Sequence, residues 1–222
     1  MFERVSFADR NDAGRRLAVA VGKIPLERPV VYALPRGGVP VAIQVATALD
    51  APLDLVLVRK IGAPGQPELA VGAIVDGDRP ETLVNEDIAA STGADAVYLA
   101  SVQERERHEL ERRRAAYLAG RAPVDPVHRD AIVVDDGVAT GASMLVAVRA
   151  LRHRGARRVI VATPVAPPET VARLEREADL VVCLTQPDWF PGISAFYDDF
   201  HQLEDREVVE LLRAAAAPDS TA

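Results

Sequence analysis

Five short apolar runs punctuate this chain: "PVVYAL" (29–34), "LDLVLVRK" (53–60), "DAIVV" (130–134), "RRVIVATPV" (157–165) and "DLVVCL" (179–184). Each has the length of a strand. Helix-length segments follow three of them: "VPVAIQVATALD" (39–50), "ASMLVAVRALRHRG" (142–155) and "PPETVARLEREA" (167–178). A strand, a helix and a second strand in succession form a crossover unit, which favours parallel pairing. The pattern predicts an α/β fold with a doubly wound, mostly parallel five-stranded sheet and a second, smaller lobe. "FADRNDAGRRLAVAV" (7–21) and "DREVVELLRAAAA" (205–217) read as helices at the two ends.

The material between the second and third runs breaks the alternation. "IGAPGQPELAVG" (61–72) is rich in Gly and Pro and predicts a loop, either mobile over a site or a plain connector. "AIVDG" and "ETLVN", within 73–85, suggest a small antiparallel pair. Residues 86–120 read as a charged helical insertion with opposite charges at Arg105/Glu109, Arg107/Glu111 and Glu109/Arg113. Its apolar stripe, Val102, Leu110 and Tyr117, is narrow. That suits a solvated helix bridging parts of the fold, or a subunit contact.

The ends of three predicted strands carry the chemistry, because ligands in such sheets bind at the carboxyl ends of strands. "VVDDGVATGAS" (133–143) ends a strand in two carboxylates, turns through a loop and opens a helix. Backbone N–H groups of residues 138–143, the helix N-terminus and the hydroxyls of Thr140 and Ser143 predict a phosphate cradle. Asp135 and Asp136 beside it suit two sugar hydroxyls, or a Mg²⁺ shared with a diphosphate. No GxxxxGK[ST] and no GxGxxG occurs. "PRGG" (35–38) lets backbone approach an anion closely. Lys60 is one of two lysines among 26 lysines and arginines, the other being Lys23, which hints at a chemical use.

Charge and cysteine content narrow the partners. A net charge of −7 and a pI near 5.2 argue against nucleic acid as the main partner. Cys183 is the one cysteine, so no intrachain disulfide forms, and it reads as a buried strand residue. The N-terminus is polar, unlike a signal peptide, and no apolar run approaches the ~20 residues of a membrane span. A cytoplasmic protein is expected.

"VVDDGVATGAS" resembles the phosphoribosyl-pyrophosphate motif of the type I phosphoribosyltransferases. The resemblance implies that Asp135 and Asp136 hold the ribose hydroxyls, with Mg²⁺ partly through the substrate. It implies that Gly137, Val138, Ala139, Thr140, Gly141, Ala142 and Ser143 hold the 5′-phosphate. "ALPRGGV" (33–39) resembles the family's pyrophosphate loop, with Arg36 and the amides of Gly37 and Gly38 facing the diphosphate. "VRKIG" (58–62) resembles the Arg-Lys that ends the second core strand before a flexible catalytic loop. That assigns Arg59 and Lys60 to pyrophosphate, with Lys60 and Arg36 catalytic alongside the two aspartates. The core would comprise 29–72 and 130–184, the insertion 86–120, and hood elements 185–202, where Trp189, Phe190 and Phe196 could stack on a base.

The reaction implied is transfer of 5-phosphoribose from phosphoribosyl pyrophosphate to a nitrogenous base, a salvage-like step. The alternatives are a regulatory protein that binds the same ligand without turnover, and transfer onto an unusual amine or sugar-like acceptor. Ala139 stands where hypoxanthine–guanine enzymes carry an acid, which points away from a 6-oxopurine acceptor. Ala63 stands where adenine enzymes carry a second loop lysine. A dimer is the family's commonest form. Nearly the full chain resembles a bacterial group of stand-alone members without an assigned substrate, through "DRNDAGRRLA", "ALPRGGVPVA", "RKIGAPGQPELAVGAI", "VVDDGVATGAS" and "FYDDFHQ".

Overall fold

The computed structural model describes residues 6–76, 81–118 and 122–216. The chain forms two compact units, Met1–Leu55 with Val124–Ala222, and Val56–Pro123. The elements run α1 (Arg10–Val21), β1 (Val30–Ala33), α2 (Gly38–Leu49), β2 (Leu53–Leu55), β3 (Val58–Ala63), β4 (Gln66–Val75) and β5 (Glu81–Val84). They continue α3 (Glu86–Thr92), α4 (Ala96–Leu118), β6 (Asp130–Val134), α5 (Ala142–His153) and β7 (Arg158–Val165). The last are α6 (Pro168–Leu174), β8 (Leu180–Thr185) and α7 (Asp205–Ala216). No helix among the described residues is long and apolar enough to cross a membrane.

The first unit is built on a five-stranded sheet in the order β2-β1-β6-β7-β8, parallel throughout. β1 and β6 are buried at every position, as expected of parallel strands covered on both faces. The chain builds outward from β1 to β2 and then reverses to β6. The topological switch point therefore lies between β1 and β6, where a crevice opens at their carboxyl ends. α1 buries Ala13, Gly14, Leu17 and Val21 along one face. Gly14 lets it lie close on α2: a Cβ there would stand 2.8 Å from the Val41 carbonyl oxygen.

Asp130 opens β6 fully buried. It accepts from Arg157 at 2.7 Å, Arg158 at 2.6 Å and the Glu27 N–H at 2.9 Å. Burial by itself raises its carboxyl. The hydrogen bonds from Arg158, Glu27 and Arg157 outweigh that and hold it below its ordinary 3.8. A carboxyl depressed on folding stabilises the fold above its unfolded value, and the stability is lost as pH falls through the folded value. Asp130→Asn is expected to lose about 2 kcal/mol at neutral pH, since both guanidinium partners reach solvent. Urea titrations of variant and parent should converge below pH 3.8.

Three expectations change here. The run 53–60 is two strands: Leu53–Leu55 pairs with β1, whereas Val58–Ala63 starts a separate antiparallel sheet in the second unit. Asp54 marks the break, its buried carboxylate accepting the N–H of Leu55 and of Val124, each at 2.8 Å. Residues 61–72 are not a loop. They lie in a hairpin of β3 and β4 that turns at Pro64–Gly65, with Gly65 at φ 71°. Proline then glycine suits a type II turn, which needs positive φ at its third residue. The segment 185–202 belongs to the first unit, and the smaller unit is 56–123. Phe196 and Tyr197 pack with Phe7, Ala13 and Val165, and Phe190, Ile193 and Phe200 lie against that cluster.

The second unit is a three-stranded antiparallel sheet, β3-β4-β5, with α3 and α4. α4 packs on β3 and β4. Its narrow stripe, Val102, Leu110 and Tyr117, is buried. Two of the anticipated helical pairs form, Arg107–Glu111 and Arg113–Glu109, both at 2.8 Å. Arg105 turns to Glu106 instead, at 3.2 Å.

Candidate functional site

The ends of β1 and β6 meet at the switch point. The Leu34 N–H donates to the Val134 carbonyl at 2.9 Å, carrying the ladder one residue past β1. The chain then turns through Pro35–Arg36, whose peptide bond is cis, into α2. Two glycines make the turn fit. A Cβ on Gly38 would stand 2.6 Å from the Val134 carbonyl oxygen, and one on Gly37 only 2.0 Å from Asp136 Oδ2. The PRGG turn thus lies directly on the double aspartate.

The two aspartates have different surroundings. Asp135 is half-buried and lines a cavity of about 130 Å³ together with residues 137–144. Its Oδ1 accepts the Asp136 N–H at 2.9 Å. Asp136 is buried, and its Oδ2 accepts Arg10 Nε at 2.7 Å. The Tyr197 hydroxyl donates to the Asp136 carbonyl at 2.5 Å. Burial and the neighbouring Asp136 carboxylate push the Asp135 carboxyl well above the ordinary range. Burial also raises Asp136, opposed by Arg10.

The loop after them is held from outside. The Ala139 carbonyl accepts from Thr170 Oγ1 at 2.6 Å, and the Thr140 carbonyl accepts from Arg173, both donors lying on α6. Gly141 sits at φ 73° and caps the N-terminus of α5, a left-handed position that suits glycine. With these carbonyls drawn away, the N–H groups of Ala139 through Met144 have no protein acceptor among the described residues. The first turn of α5 is also where a helix leaves its donors unpaired. Thr140 and Ser143 are exposed beside them. Val138 departs from the expectation: its N–H donates to the Val165 carbonyl at 2.9 Å and is not available to a ligand. Gly137 lies under Ile193, whose Cγ2 would be 2.5 Å from an added Cβ.

Other predicted residues are placed differently. Arg36 is partly exposed and 3.8 Å from Asp205. Arg59 and Lys60 belong to the second unit and do not end a strand of the parallel sheet. Arg59 is committed to the buried Glu106 at 2.7 Å, and Lys60 is exposed on β3 opposite Ala73. Phe190 stacks on Phe196 at 5.6 Å in the core cluster, whereas Trp189 is 75% exposed. Cys183 is only partly buried in β8, and burial pushes its thiol up to about 11.

Four supporting residues were not read from the sequence: Arg10, Thr170, Arg173 and Tyr197. Arg10 and Tyr197 do fall inside "DRNDAGRRLA" and "FYDDFHQ", but nothing in those stretches shows that they meet at Asp136. Among the described residues no three His, Cys, Asp or Glu side chains cluster as a metal cage. Mg²⁺ needs none where a diphosphate supplies oxygens, and one carboxylate then suffices. Asp135 fits that part. Asp136, taken by Arg10, does not.

The chain is similar to known proteins. The chain matches the phosphoribosyl transferase domain family over residues 10–201. It is 44% identical to two Mycobacterium tuberculosis proteins whose names give them provisionally as phosphoribosyl transferases, over 94% of this chain. The chain spans about half the length of those relatives, 47%. The crystal structure of TT1426 from Thermus thermophilus superposes with a TM-score of 0.84 at 44% identity, covering 96% of this chain and 100% of that one. With the switch-point crevice, the glycine turn and the acid-led loop in the required order, the chain belongs to the phosphoribosyl transferase domain family.

Proposed function

We propose that this chain transfers 5-phosphoribose from phosphoribosyl pyrophosphate to a nitrogenous base, releasing pyrophosphate, in a salvage-like reaction. One observation carries the reading: the N–H groups of Ala139 through Met144, which have no protein acceptor among the described residues, belong to residues that line a small cavity with Asp135 at the N-terminus of a 12-residue helix. Such donors and the helix dipole favour a phosphate.

In this reading the amides from Ala139 onward, with the Thr140 and Ser143 hydroxyls, hold the 5′-phosphate. Asp135 holds the ribose hydroxyls beneath the positive charge that develops at C1. The C1–O bond breaks with its electron pair leaving on the diphosphate, and a bond from the base nitrogen to C1 replaces it. That transition state resembles the oxocarbenium ion of glycoside hydrolysis. Gly37 and Gly38, which pack on Asp136 and Asp135, together with Arg36 in the same turn, would face the leaving diphosphate. Asp135 would hold Mg²⁺ together with the substrate's diphosphate, and the ion would supply charge neutralisation for the leaving group. Most of the acceleration is positioning and preorganised electrostatics. Ala139 offers no proton acceptor, which disfavours a 6-oxopurine.

Binding without turnover is the second reading. One observation favours it: the segment expected to be a flexible catalytic loop is a hairpin, with Arg59 engaged by Glu106. A single assay separates the two. The protein is incubated with Mg²⁺, phosphoribosyl pyrophosphate and a panel of bases, and pyrophosphate release is followed beside calorimetric binding. Base-dependent release is the expected result. Tight binding without release supports the sensor, and no binding removes both readings.

A further inference from the structure

We infer that α6 aims the phosphate loop: Thr170 and Arg173 are positioning residues that turn two peptide groups so that the N–H groups of Thr140 and Gly141 face a bound phosphate. The inference rests on the phosphoribosyl-pyrophosphate reading above and assigns the set of its loop to a helix outside the loop.

Three successive loop residues are tied to one neighbouring stretch of chain. The Val138 N–H donates to the carbonyl of Val165, the last residue of β7, at 2.9 Å. The Ala139 carbonyl accepts from Thr170 Oγ1 at 2.6 Å. The Thr140 carbonyl accepts from Arg173 Nη2. Both donors lie on α6, one turn apart. The same helix also bears on Gly141, where a Cβ would stand 3.3 Å from Thr170 Cγ2 and 3.8 Å from Leu174 Cδ2.

Peptide geometry converts these bonds into an aim. A trans peptide is planar, and its C=O and N–H point in opposite directions. The peptide bonds of this loop are trans. An Ala139 carbonyl drawn to α6 therefore sends the Thr140 N–H away from α6, and the Thr140 carbonyl does the same for the Gly141 N–H. Neither N–H has a protein acceptor among the described residues, and both residues line the cavity beside Asp135. The bonds also strengthen the donors. A carbonyl that accepts a hydrogen bond polarises its peptide, so the N–H at the far side donates better, most of all when the bond comes from a cation.

The two α6 residues differ in what else they do. Thr170 is buried, with its hydroxyl satisfied by the Ala139 carbonyl. Arg173 leaves its Nε buried without an acceptor. An unpaired buried donor costs free energy, which offsets the gain from the Thr140 bond. The net value of Arg173 thus lies in where it points the loop rather than in the stability of the fold.

Calorimetry and thermal unfolding on the full chain compare Arg173→Met, Arg173→Lys, Thr170→Val and Thr170→Ser. The ligands are ribose 5-phosphate and inorganic phosphate, with Mg²⁺-pyrophosphate as the ligand of the glycine turn. Arg173→Met is expected to weaken both monophosphate ligands about tenfold, the scale of a lost charge-assisted hydrogen bond. Thr170→Val should weaken them about threefold to fivefold, the scale of a neutral one. Arg173→Lys and Thr170→Ser keep a donor and should recover most of the affinity. Mg²⁺-pyrophosphate binding and the unfolding temperature of Arg173→Met should stay near the parent's. Amide NMR resolves the two peptides. In the parent, phosphate should shift the Thr140 and Gly141 amide protons downfield. At saturating phosphate, Thr170→Val should reduce the Thr140 shift, and Arg173→Met the Gly141 shift. If Arg173→Met does not fold, Arg173→Lys and Thr170→Val carry the comparison. Unchanged monophosphate affinity in the folded variants overturns the inference. So does an equal loss for Mg²⁺-pyrophosphate, which would make α6 a support of the fold at large. Parent protein that binds phosphate without moving either amide also overturns it. Parent protein that binds none of the three ligands defeats the phosphoribosyl reading itself, and this inference with it.

Discussion

Gly37→Ala is expected to destabilise the protein by about 3 kcal/mol and to lower its unfolding temperature by roughly 10 °C. The new methyl would stand 2.0 Å from Asp136 Oδ2. Relief is costly at both partners. Asp136 cannot swing away without leaving Arg10, and Gly37 cannot rise without moving the start of α2. Overpacking in a site that cannot relax costs at the upper end of the usual range. Gly65→Ala is the matched control: it has nothing within 4 Å but a φ of 71°, so only backbone strain is felt. That change should cost about 1 kcal/mol. Thermal unfolding by circular dichroism measures both. Equal, small effects at the two positions would mean that the glycine turn does not rest on Asp136. Binding of Mg²⁺-pyrophosphate should fall together with the stability of Gly37→Ala.

Asp135→Asn should show the opposite balance, with binding lost and the fold intact or firmer. Asp135 lines the cavity with residues 137–144 and shares its surroundings with Asp136, while Arg10 bonds Asp136 and not Asp135. An amide keeps the size of the side chain and can still accept from the Asp136 N–H. It removes the like charge that burial makes costly. The unfolding temperature at neutral pH should stay level or rise by a few degrees, about 1 kcal/mol. Affinity for Mg²⁺-phosphoribosyl pyrophosphate should drop about 100-fold, as for loss of a charge-assisted pair of hydrogen bonds and a metal contact. Inorganic phosphate, which needs only the loop, should bind nearly as before. A variant that binds phosphoribosyl pyrophosphate as well as its parent would remove Asp135 from the ligand.

Local pattern by itself determined much of this molecule. The alternation of apolar runs and amphipathic segments predicted the parallel sheet, because burial on both faces demands continuous apolar strands. All five runs contribute to that sheet, though the second only through Leu53–Leu55. The order of motifs placed "PRGG" and "VVDDGVATGAS" at strand ends, since glycines and helix-start residues act within a few positions of themselves. The sequence could not show where the run 53–60 changes sheets, because an extended apolar strand looks alike in either partner's ladder. It read 61–72 as a loop from its Gly and Pro content, whereas pairing across Pro64–Gly65 made strands of it.

Tertiary structure alone decided what surrounds each acid. Asp135 and Asp136 are adjacent and chemically identical, yet one lines a cavity and the other is locked by an arginine 126 positions away. Likewise Phe190 packs against the core cluster while Trp189 beside it stays in solvent, and Arg59 pairs with Glu106. Periodicity records which face of an element is apolar. It carries no record of which distant side chain arrives at a buried charge, and that arrival fixes whether the charge is free to act.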